Sequence, residues 1–341
     1  MLVKILILRF SSIGDIILTS PVIRCLKEQI PELVLHYGIK EKYAWILDAN
    51  PYVDEIKILK EGKLLSLIRS LRQENYDFII DLHHNIRSFC VKKLLKSRSY
   101  SFYKLNLYKW LLVSLKWDII PRRHVVDRYM DTVFPLGVQS DGKGLDYFIP
   151  SSHEISLSTL AMPFQKGYIA YAMGGQYGTK RLPFHKMVEL LQKIPYPVIL
   201  LGDEGDRPLG DRLRDYFQQR DSVKAEMIWN ACGLYSFHGS VSLLRQAALV
   251  FTHDTGLMHA AAAFGKKIFS MWGNTMPAFG MYPYQTDFVV LENTFVSCRP
   301  CSRIGYKSCP KKHFKCMSEL SLNFVLPKLN GLKKYMCTFK N

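Results

Sequence analysis

The sequence contains no continuous apolar run that approaches the roughly 20 residues a helix needs to cross a bilayer. Its first ten residues, MLVKILILRF, run directly into a strand pattern and do not form a cleavable signal pattern. We therefore expect a protein that stays in the cytoplasm.

Cysteine is sparse, with eight in 341 residues, and this is too few for a disulfide scaffold. Four of the eight cluster as C-x2-C-x7-C-x6-C, with His313 close by: Cys298, Cys301, Cys309 and Cys316. The first pair has the spacing of metal ligands, so the cluster predicts a structural zinc site, reduced thiols that pack a loop, or disulfides. None of these would be catalytic. The scattered cysteines are expected to be single core or surface residues: Cys25, Cys90, Cys232 and Cys337.

Acidic residues are also scarce, because 29 Asp and Glu stand against 46 Lys and Arg and leave a net charge of +17. Such an excess favours anionic partners: nucleic acid, phosphorylated substrates or an acidic membrane surface. Two segments carry most of it. Between Arg87 and Arg128 there are 11 cations and two acids, and between Cys298 and Asn341 there are ten cations and one acid.

The first basic segment interleaves its lysines with aromatic residues in YKLNLYKWLLVSLKWDIIP, residues 103–121. Tyr103, Tyr108, Trp110 and Trp117 alternate there with apolar and lysine positions, a mixture typical of a helix that lies in a bilayer interface. An ordinary amphipathic helix with a solvated lysine face explains the pattern equally well.

Short β-branched runs alternate with stretches that carry apolar residues at helical spacing, twice along the chain. Strands are predicted at 3–9, 33–38, 53–59, 78–82, 168–173, 197–202, 227–231, 248–252 and 267–272, and helices at 62–74, 183–193 and 256–264. The pattern predicts an α/β protein with two doubly wound domains. Pro and Ser interrupt it within 150–166, so we predict an N-terminal domain at 1–155 and a C-terminal domain at 156–341, with a cysteine-rich segment at 298–316 and a C-terminal tail.

Ligands of open parallel sheets bind beyond the carboxyl ends of the strands, which directs attention to the strand-to-helix loops. The first loop, SSIGD, has one glycine where a dinucleotide fingerprint has three. Gly14 permits a close approach of the backbone to a substrate. Asp15 falls near a helix N-terminus, where it is either a functional carboxylate or a helix cap.

The second loop, MGGQYGTKRLP at 173–183, places Lys180 and Arg181 before Pro183, a plausible first helical residue. Its backbone amides and a lysine ammonium suit a phosphate, although a flexible loop with solvated charges has the same composition. A further loop, LLGDEGDR at 200–207, is typical of a nucleoside-side loop but is weakly specific.

The third loop, THDTGLMHAAAAFG at 252–265, opens a helix of small residues. The free amides and the Thr255 hydroxyl suit a diphosphate, and Asp254 is placed to hold sugar hydroxyls or to cap the helix. His259 lies one turn further on, as a ligand or as a core histidine.

These motifs, in this order and with the late cysteine cluster, resemble glycosyltransferase family 9. The combination of S-S-x-G-D near the N-terminus with D-T-G-L-x-H about 240 residues later is specific for that family. The resemblance implies a GT-B fold, in which two Rossmann-like doubly wound domains face each other across a cleft. It also implies an inverting, metal-independent transfer of heptose from ADP-heptose to the inner core of lipopolysaccharide.

The resemblance carries roles over residue by residue. It implies that Asp15 is the catalytic base and that Ser11, Ser12 and Gly14 form the loop on the acceptor side. It implies donor binding by the following residues: Thr179, Lys180, Asp254, Thr255, Gly256 and His259. Lys180 and the helix amides would replace a metal in stabilising the leaving group, so no cofactor is expected for catalysis.

Outside the motifs, charge and location suggest acceptor contacts for Arg87, Arg122, Arg123 and Arg128, because guanidinium groups match carboxylates and phosphates. Ordinary surface ion pairs are the alternative for several of them. Leu182 stands where many family members have an aromatic residue, which leaves the donor sugar open.

The expected partners are ADP-heptose or a related nucleotide sugar, the lipopolysaccharide core, and the inner face of the cytoplasmic membrane, to which the protein would be peripheral. No recognisable nucleic-acid module is present, so nucleic acid is not expected. The rival hypotheses are a GT-B enzyme that uses another nucleotide sugar, an epimerase, and a basic nucleic-acid-binding protein.

Overall fold

A computed structural model describes residues 2–323 of the chain. Cys337 and the end of the C-terminal basic segment lie outside the described residues. The chain forms two compact units. The first extends to Asn106 and resumes at Pro121–Phe148, and the second comprises Leu107–Ile120 and the residues from Ile149 onwards. The aromatic and basic segment Leu107–Ile120 thus belongs to the second unit, although it lies within the predicted N-terminal domain.

The first unit is built on a five-stranded parallel sheet in the order β3-β2-β1-β4-β5. Its strands are β1 (Val3–Leu8), β2 (Leu33–Lys40), β3 (Glu55–Leu59), β4 (Phe78–Asp81) and β5 (Arg98–Ser101). The helices of this unit are α1 (Ile13–Ile17), α2 (Ser20–Gln29), α3 (Leu64–Arg72), α4 (Ile86–Leu95) and α6 (Val125–Met130), whereas α5 (Asn106–Ser114) belongs to the second unit from Leu107 onwards. The central strand β1 is buried from Ile5 to Leu8, as its apolar run requires.

The second unit contains a six-stranded parallel sheet in the order β11-β10-β9-β6-β7-β8. Its strands are β6 (Ile169–Ala172), β7 (Val198–Leu201), β8 (Ile228–Asn230), β9 (Val250–His253), β10 (Ile268–Trp272) and β11 (Phe288–Glu292). Its helices are α7 (Met162–Gln165), α8 (Phe184–Lys193), α9 (Arg207–Gln218), α10 (Ser222–Glu226), α11 (Phe237–Gln246), α12 (Gly256–Ala263) and α13 (Lys315–Ser318).

The predicted α/β class with two parallel sheets is confirmed. All nine predicted strands are present, within a few residues at each end, and two strands were missed. β5, with the sequence RSYS, is a largely exposed edge strand without an apolar pattern. β11 is an edge strand that is only partly buried.

Each sheet changes its direction of winding beside its first strand. In the first sheet the change falls between β1 and β4, and in the second between β6 and β9. Because ligands of doubly wound sheets bind at this position, beyond the carboxyl ends of the strands, the loops after β1, β6 and β9 are the expected places for function.

Within residues 2–323, no helix combines the length and the apolar character that crossing a bilayer requires. The segment predicted to lie in a bilayer interface forms a helix only at Asn106–Ser114, and residues 115–124 continue without regular structure.

Candidate active site

Asp15 lies at the third position of α1, directly after the β1 loop. Its Oδ2 accepts hydrogen bonds from the Ser12 backbone amide at 3.2 Å and from the Ser12 hydroxyl at 2.7 Å. The carboxylate therefore does stabilise the helix start, which was the alternative to a catalytic role. Its side chain nevertheless keeps 20% of its surface exposed, so a substrate can reach it.

Arg9, at the end of β1, forms an ion pair with Asp15 through Nη2 and Oδ1 at 2.7 Å. The guanidinium also donates to the Ser11 carbonyl at 2.7 Å, to the Leu82 carbonyl and to the Tyr129 hydroxyl at 2.9 Å. Burial lowers the pKa of Arg9, but the charge and hydrogen bond of Asp15, together with Tyr129 and Tyr37, outweigh burial and leave the pKa raised. Arg9 is a functional candidate that the sequence analysis missed, although it lies only two residues before the predicted SSIGD loop.

The charges of Arg9 and Asp15 affect the pKa values of two nearby side chains, His83 and Lys104. Burial, together with the positive charges of Arg9 and Lys104, lowers the pKa of His83 to about 3. His83 is therefore neutral at physiological pH. The pKa of Lys104 is also lowered, first by burial and then by Arg9. The surroundings of Asp15 are thus basic, which suits an anionic acceptor.

The four predicted acceptor arginines have different environments. Arg87 and Arg122 are exposed. Arg123 is exposed and makes a bidentate ion pair with Asp131 at 2.9 Å, which fits the surface-pair alternative. Arg128 is buried and donates to the Tyr103 carbonyl at 2.9 Å, so its visible contact is structural. Acceptor binding by all four stays a prediction.

In the second unit, the loops after β6 and β9 meet through Lys180 and Asp254. The Lys180 ammonium donates to Asp254 Oδ2 at 2.6 Å and, more weakly, to the Asp254 carbonyl at 3.4 Å. The Thr275 hydroxyl donates to the same Oδ2 at 3.1 Å. Asp254 is therefore not the cap of α12, because that position belongs to Thr255. These contacts use two of the three lysine donors, and the side chain is 16% exposed.

The N-terminus of α12 follows this pair directly. Thr255 is the N-cap residue, and among the described residues its hydroxyl makes no capping bond to the helix. Gly256 is the first helical residue, so the amides that open α12 point towards the end of the sheet beside Lys180. His259 is buried within the helix, at 2% exposure. Its burial fits the core alternative better than contact with a ligand.

His253, at the end of β9, joins the two loops and was missed by the sequence analysis. Its Nε2 accepts a hydrogen bond from the Leu182 amide at 3.0 Å, so Nδ1 carries the proton that faces the Gly174 carbonyl at 3.4 Å. Complete burial lowers its pKa to about 4. Leu182, the departure from the family pattern, is itself a core residue at 3% exposure.

The weakly specific loop at 200–207 contacts the Lys180 loop through the pair of Asp206 with Arg181. Arg181 donates to the Gly175 carbonyl at 2.6 Å and to the buried Asp206 at 2.7 Å. A Cβ at Gly174 would lie 2.3 Å from Asp206 Oδ2, so glycine is required at that position. These contacts do not favour the alternative of a flexible loop with solvated charges at Arg181, because its guanidinium is bonded to Gly175 and Asp206.

Thr179 is buried, and its hydroxyl exchanges hydrogen bonds with the Tyr306 backbone, accepting from the amide at 2.8 Å and donating to the carbonyl at 3.0 Å. Arg299 lies in the same late segment and donates to the Gly273 and Thr275 carbonyls. The visible role of Thr179 is to tie this segment to the Lys180 loop, and its contact with a donor stays a prediction.

The described cysteines are all free thiols, so the disulfide alternative receives no support within residues 2–323. In the cluster, Cys298 Sγ lies 3.7 Å from His313 Nε2. Elsewhere in the described residues, the ligand atoms of His36, Glu55 and Glu74 lie within 4.8 Å of one another. Lys4 and Lys57 already neutralise those carboxylates, so we assign no metal to that group.

Comparisons with known proteins agree with the motifs. The model of glycosyltransferase family 9 (heptosyltransferase) matches residues 64–312. Lipopolysaccharide heptosyltransferase 2 of Salmonella typhimurium is 23% identical over 301 residues, 81% of this chain and 84% of that protein. Lipooligosaccharide heptosyltransferase 2 of Haemophilus influenzae is 25% identical over 352 residues, 96% of this chain and 99% of that protein.

Among solved structures, ADP-heptose lps heptosyltransferase II of E. coli matches with a TM-score of 0.71 and 19% identity, covering 96% of this chain and 98% of that chain. The likeness concerns the fold, and it confirms the expected GT-B class.

Proposed function

The chain belongs to glycosyltransferase family 9, and on that premise we propose that it transfers heptose from ADP-heptose to the inner core of lipopolysaccharide. We further propose that the transfer inverts the anomeric centre and needs no metal. The likeness to lipooligosaccharide heptosyltransferase 2 over nearly the full length, and to lipopolysaccharide heptosyltransferase 2 over about four fifths of the chain, supports the choice of sugar and acceptor.

In the proposed reaction an acceptor hydroxyl attacks the anomeric carbon of the donor. The new glycosidic C–O bond forms as the bond from the anomeric carbon to the diphosphate breaks, and the electron pair of that bond leaves with ADP. Asp15 takes the hydroxyl proton as the oxygen attacks. A carboxylate that is ionised at neutral pH can accept a proton as the transition state develops.

The contacts of Asp15 support this role. Arg9 and Ser12 fix the carboxylate in one orientation, while part of its surface stays exposed. Proton transfer requires the base within hydrogen-bonding distance of the acceptor, so a fixed orientation favours catalysis. Arg9 acts here as a positioning residue.

The observation that carries the proposal is the Lys180–Asp254 pair beside the N-terminus of α12, at the position where the second sheet changes its winding. A lysine donor and the helix amides together suit the negative charge that develops on the departing diphosphate. Asp254 keeps Lys180 in place before the donor binds and is a suitable acceptor for sugar hydroxyls.

We also propose that the protein is cytoplasmic and attaches peripherally to the inner face of the cytoplasmic membrane, where its acceptor resides. Large apolar side chains are exposed along Leu107–Ile120: Leu107, Trp110, Leu115, Trp117 and Ile119. Exposed aromatic residues within a strongly basic segment fit an anionic bilayer surface.

The test is a donor screen by calorimetry on the full chain, with ADP-heptose, ADP, UDP-sugars and GDP-sugars. The proposal predicts binding of ADP-heptose and ADP, and heptose transfer to a heptose-deficient core. Selective binding of a UDP- or GDP-sugar would contradict heptose transfer and favour the rival hypothesis of a GT-B enzyme that uses another nucleotide sugar.

A further inference from the structure

A cavity of about 330 Å³ lies within the second unit, and its lining residues come from three separate stretches of the chain. Trp110, Val113 and Ser114 belong to α5, Tyr177 belongs to the loop after β6, and residues 302–306 belong to the segment between β11 and α13. Cavities that hold small ligands have volumes of about 300–1,000 Å³. This cavity therefore has room for a single small molecule.

Lys116 holds α5 against the segment between β11 and α13. Its ammonium donates to the Val113 carbonyl at 3.0 Å, the Cys298 carbonyl at 3.0 Å and the Pro300 carbonyl at 2.7 Å. These bonds use all three donors of the lysine and join two walls of the cavity. The cavity is therefore formed before a ligand binds.

The cavity adjoins the loop that carries Lys180. The Tyr306 amide donates to the Thr179 hydroxyl at 2.8 Å, and the Tyr306 carbonyl accepts from the Thr179 amide at 3.1 Å. A Cβ at Gly305 would lie 2.6 Å from the Tyr177 side chain, and the φ of Gly305 is +148°, so glycine is required beside Tyr177. A ligand in the cavity therefore lies next to the candidate donor site.

The cavity is nevertheless separate from that site. None of Lys180, Asp254 and Thr255 lines it, and neither does any Asp, Glu or His of the described residues. No carboxylate or imidazole is therefore available in the cavity to take the proton of an attacking hydroxyl. A molecule held there is positioned by the cavity and does not react in it.

Three of the lining residues are aromatic: Trp110, Tyr177 and Tyr306. Trp110 and Tyr306 keep 49% and 42% of their surfaces exposed. Exposed aromatic side chains grouped around a cavity indicate a ligand with an apolar face. A sugar ring has such a face in its C–H groups and carries hydroxyls at its edge, which the Ser114 hydroxyl can bind.

The cavity also has a positive charge without a partner. Arg303 lines it, and within residues 2–323 the guanidinium forms no hydrogen bond or ion pair. The surrounding sequence adds to this charge, because between Cys298 and Cys316 there are six Lys or Arg and neither Asp nor Glu. A guanidinium binds a carboxylate or a phosphate through two parallel hydrogen bonds. The ligand that fits this cavity is therefore anionic.

We propose that this cavity binds an anionic sugar unit of the acceptor, which carries a carboxylate or a phosphate and is not the sugar that attacks the donor. Trp110, Tyr177 and Tyr306 hold the ring, and Arg303 holds its charge. The inference rests on the proposed function, since it takes the acceptor to be an anionic oligosaccharide. The cavity thus sets which core structures are bound beside the Lys180 loop.

The first experiment measures binding to the full chain by calorimetry, with saturating ADP present so that the candidate donor site is occupied. The probes are glucuronic acid, glucose 6-phosphate, glucose and glycerol 3-phosphate. One of the two anionic sugars is expected to bind with a millimolar Kd, and Arg303→Ala and Trp110→Ala should lose that binding. The exposed Lys311→Ala and Phe295→Ala lie outside the cavity and should bind as wild type does.

The absence of binding by both anionic sugars would overturn the proposal. Binding of glycerol 3-phosphate as tight as that of the sugars would also overturn it, in favour of a lipid headgroup. This experiment needs no heptose transfer, so a wild type that binds an anionic sugar but does not use ADP-heptose would refute the proposed function alone.

The second experiment measures transfer to a deacylated core, so that a membrane contribution of Trp110 does not enter. Arg303→Ala should raise the KM for this acceptor about tenfold, because a charge-assisted contact is lost, and should leave kcat and the Kd for ADP-heptose nearly unchanged. An unchanged KM in both Arg303→Ala and Trp110→Ala would overturn the proposal. A raised Kd for ADP-heptose with an unchanged KM for the core would assign the cavity to the donor and overturn it as well.

Discussion

Arg9 and Asp15 form an ion pair between Nη2 and Oδ1 at 2.7 Å, across the loop that joins β1 to α1. The arginine is nearly buried, whereas the carboxylate is partly exposed. The two side chains of the pair therefore have different roles. Arg9 anchors the loop through the Ser11 and Leu82 carbonyls, and Asp15 presents its carboxylate at the surface.

Replacing Arg9 by methionine is expected to destabilise the first unit, because it breaks a largely buried ion pair and three further hydrogen bonds. We expect a loss of about 3 kcal/mol in the free energy of unfolding, and a fall in kcat as Asp15 loses its orientation. Arg123→Met is the matched control, since its pair with Asp131 is exposed and should contribute less than about 1 kcal/mol. Equal losses in denaturant titrations of the two variants would contradict the role of Arg9.

Lys180→Ala is expected to weaken donor binding, because a charge-assisted contact to phosphate is lost. Such contacts contribute about 1.5–3 kcal/mol, so the Kd for ADP-heptose should rise about tenfold or more. Lys267→Ala, which removes the lysine of a surface pair with Asp287, serves as the control. If calorimetry and kcat were unchanged in Lys180→Ala, the phosphate role would have to be abandoned.

The burial of His253 predicts a pH dependence of stability. Its pKa is lowered to about 4 in the folded chain, against about 6.5 in an unfolded chain. Between pH 6.5 and pH 4 the His253 side chain is protonated in the unfolded state but stays neutral in the folded state. Stability is therefore complete above pH 6.5 and is lost as the pH falls towards 4, by about 3 kcal/mol in total.

His253→Gln keeps a donor and an acceptor but does not titrate, so the variant should lose the part of the slope that His253 contributes. The part due to His83, whose pKa burial also lowers, should remain. The exposed His185→Gln should leave the profile unchanged. Unfolding titrations between pH 7.5 and 4.5 compare the three proteins. A wild-type slope in His253→Gln would show that another group is responsible.

The segment Leu107–Ile120 is expected to bind anionic vesicles. Trp117→Ala, alone and with Trp110→Ala, should weaken cosedimentation with vesicles of phosphatidylglycerol and phosphatidylethanolamine, because exposed indoles insert at the interface. Phe295→Ala removes an exposed aromatic residue outside the segment and should have no effect. Unchanged sedimentation of the double variant would rule out this surface.

The sequence predicted the parallel sheets because their strands are buried apolar runs. It also located the loops, since function follows the carboxyl ends of such strands. It could not assign partners to side chains. Asp254 has the composition signal of an N-cap, yet the N-cap is the next residue, Thr255, and Asp254 pairs with Lys180.

Contacts between distant parts of the chain left no local signal either. Arg9 meets Tyr129 across 120 residues, and Thr179 meets Tyr306 across 127. The location of Leu107–Ile120 in the second unit is of the same kind. Such pairings follow from tertiary packing, which neither composition nor periodicity encodes.

The most direct test of the account is the kcat of Asp15→Asn with ADP-heptose and a heptose-deficient core, measured on protein whose thermal unfolding shows that it is folded. The amide oxygen can still accept from the Ser12 amide and hydroxyl, while the amide nitrogen takes the place of the oxygen that pairs with Arg9. The capping contacts at the start of α1 are therefore expected to hold while the base is lost. We predict a fall in kcat of about 10²- to 10⁴-fold. Turnover close to wild type in the folded variant would contradict base catalysis by Asp15.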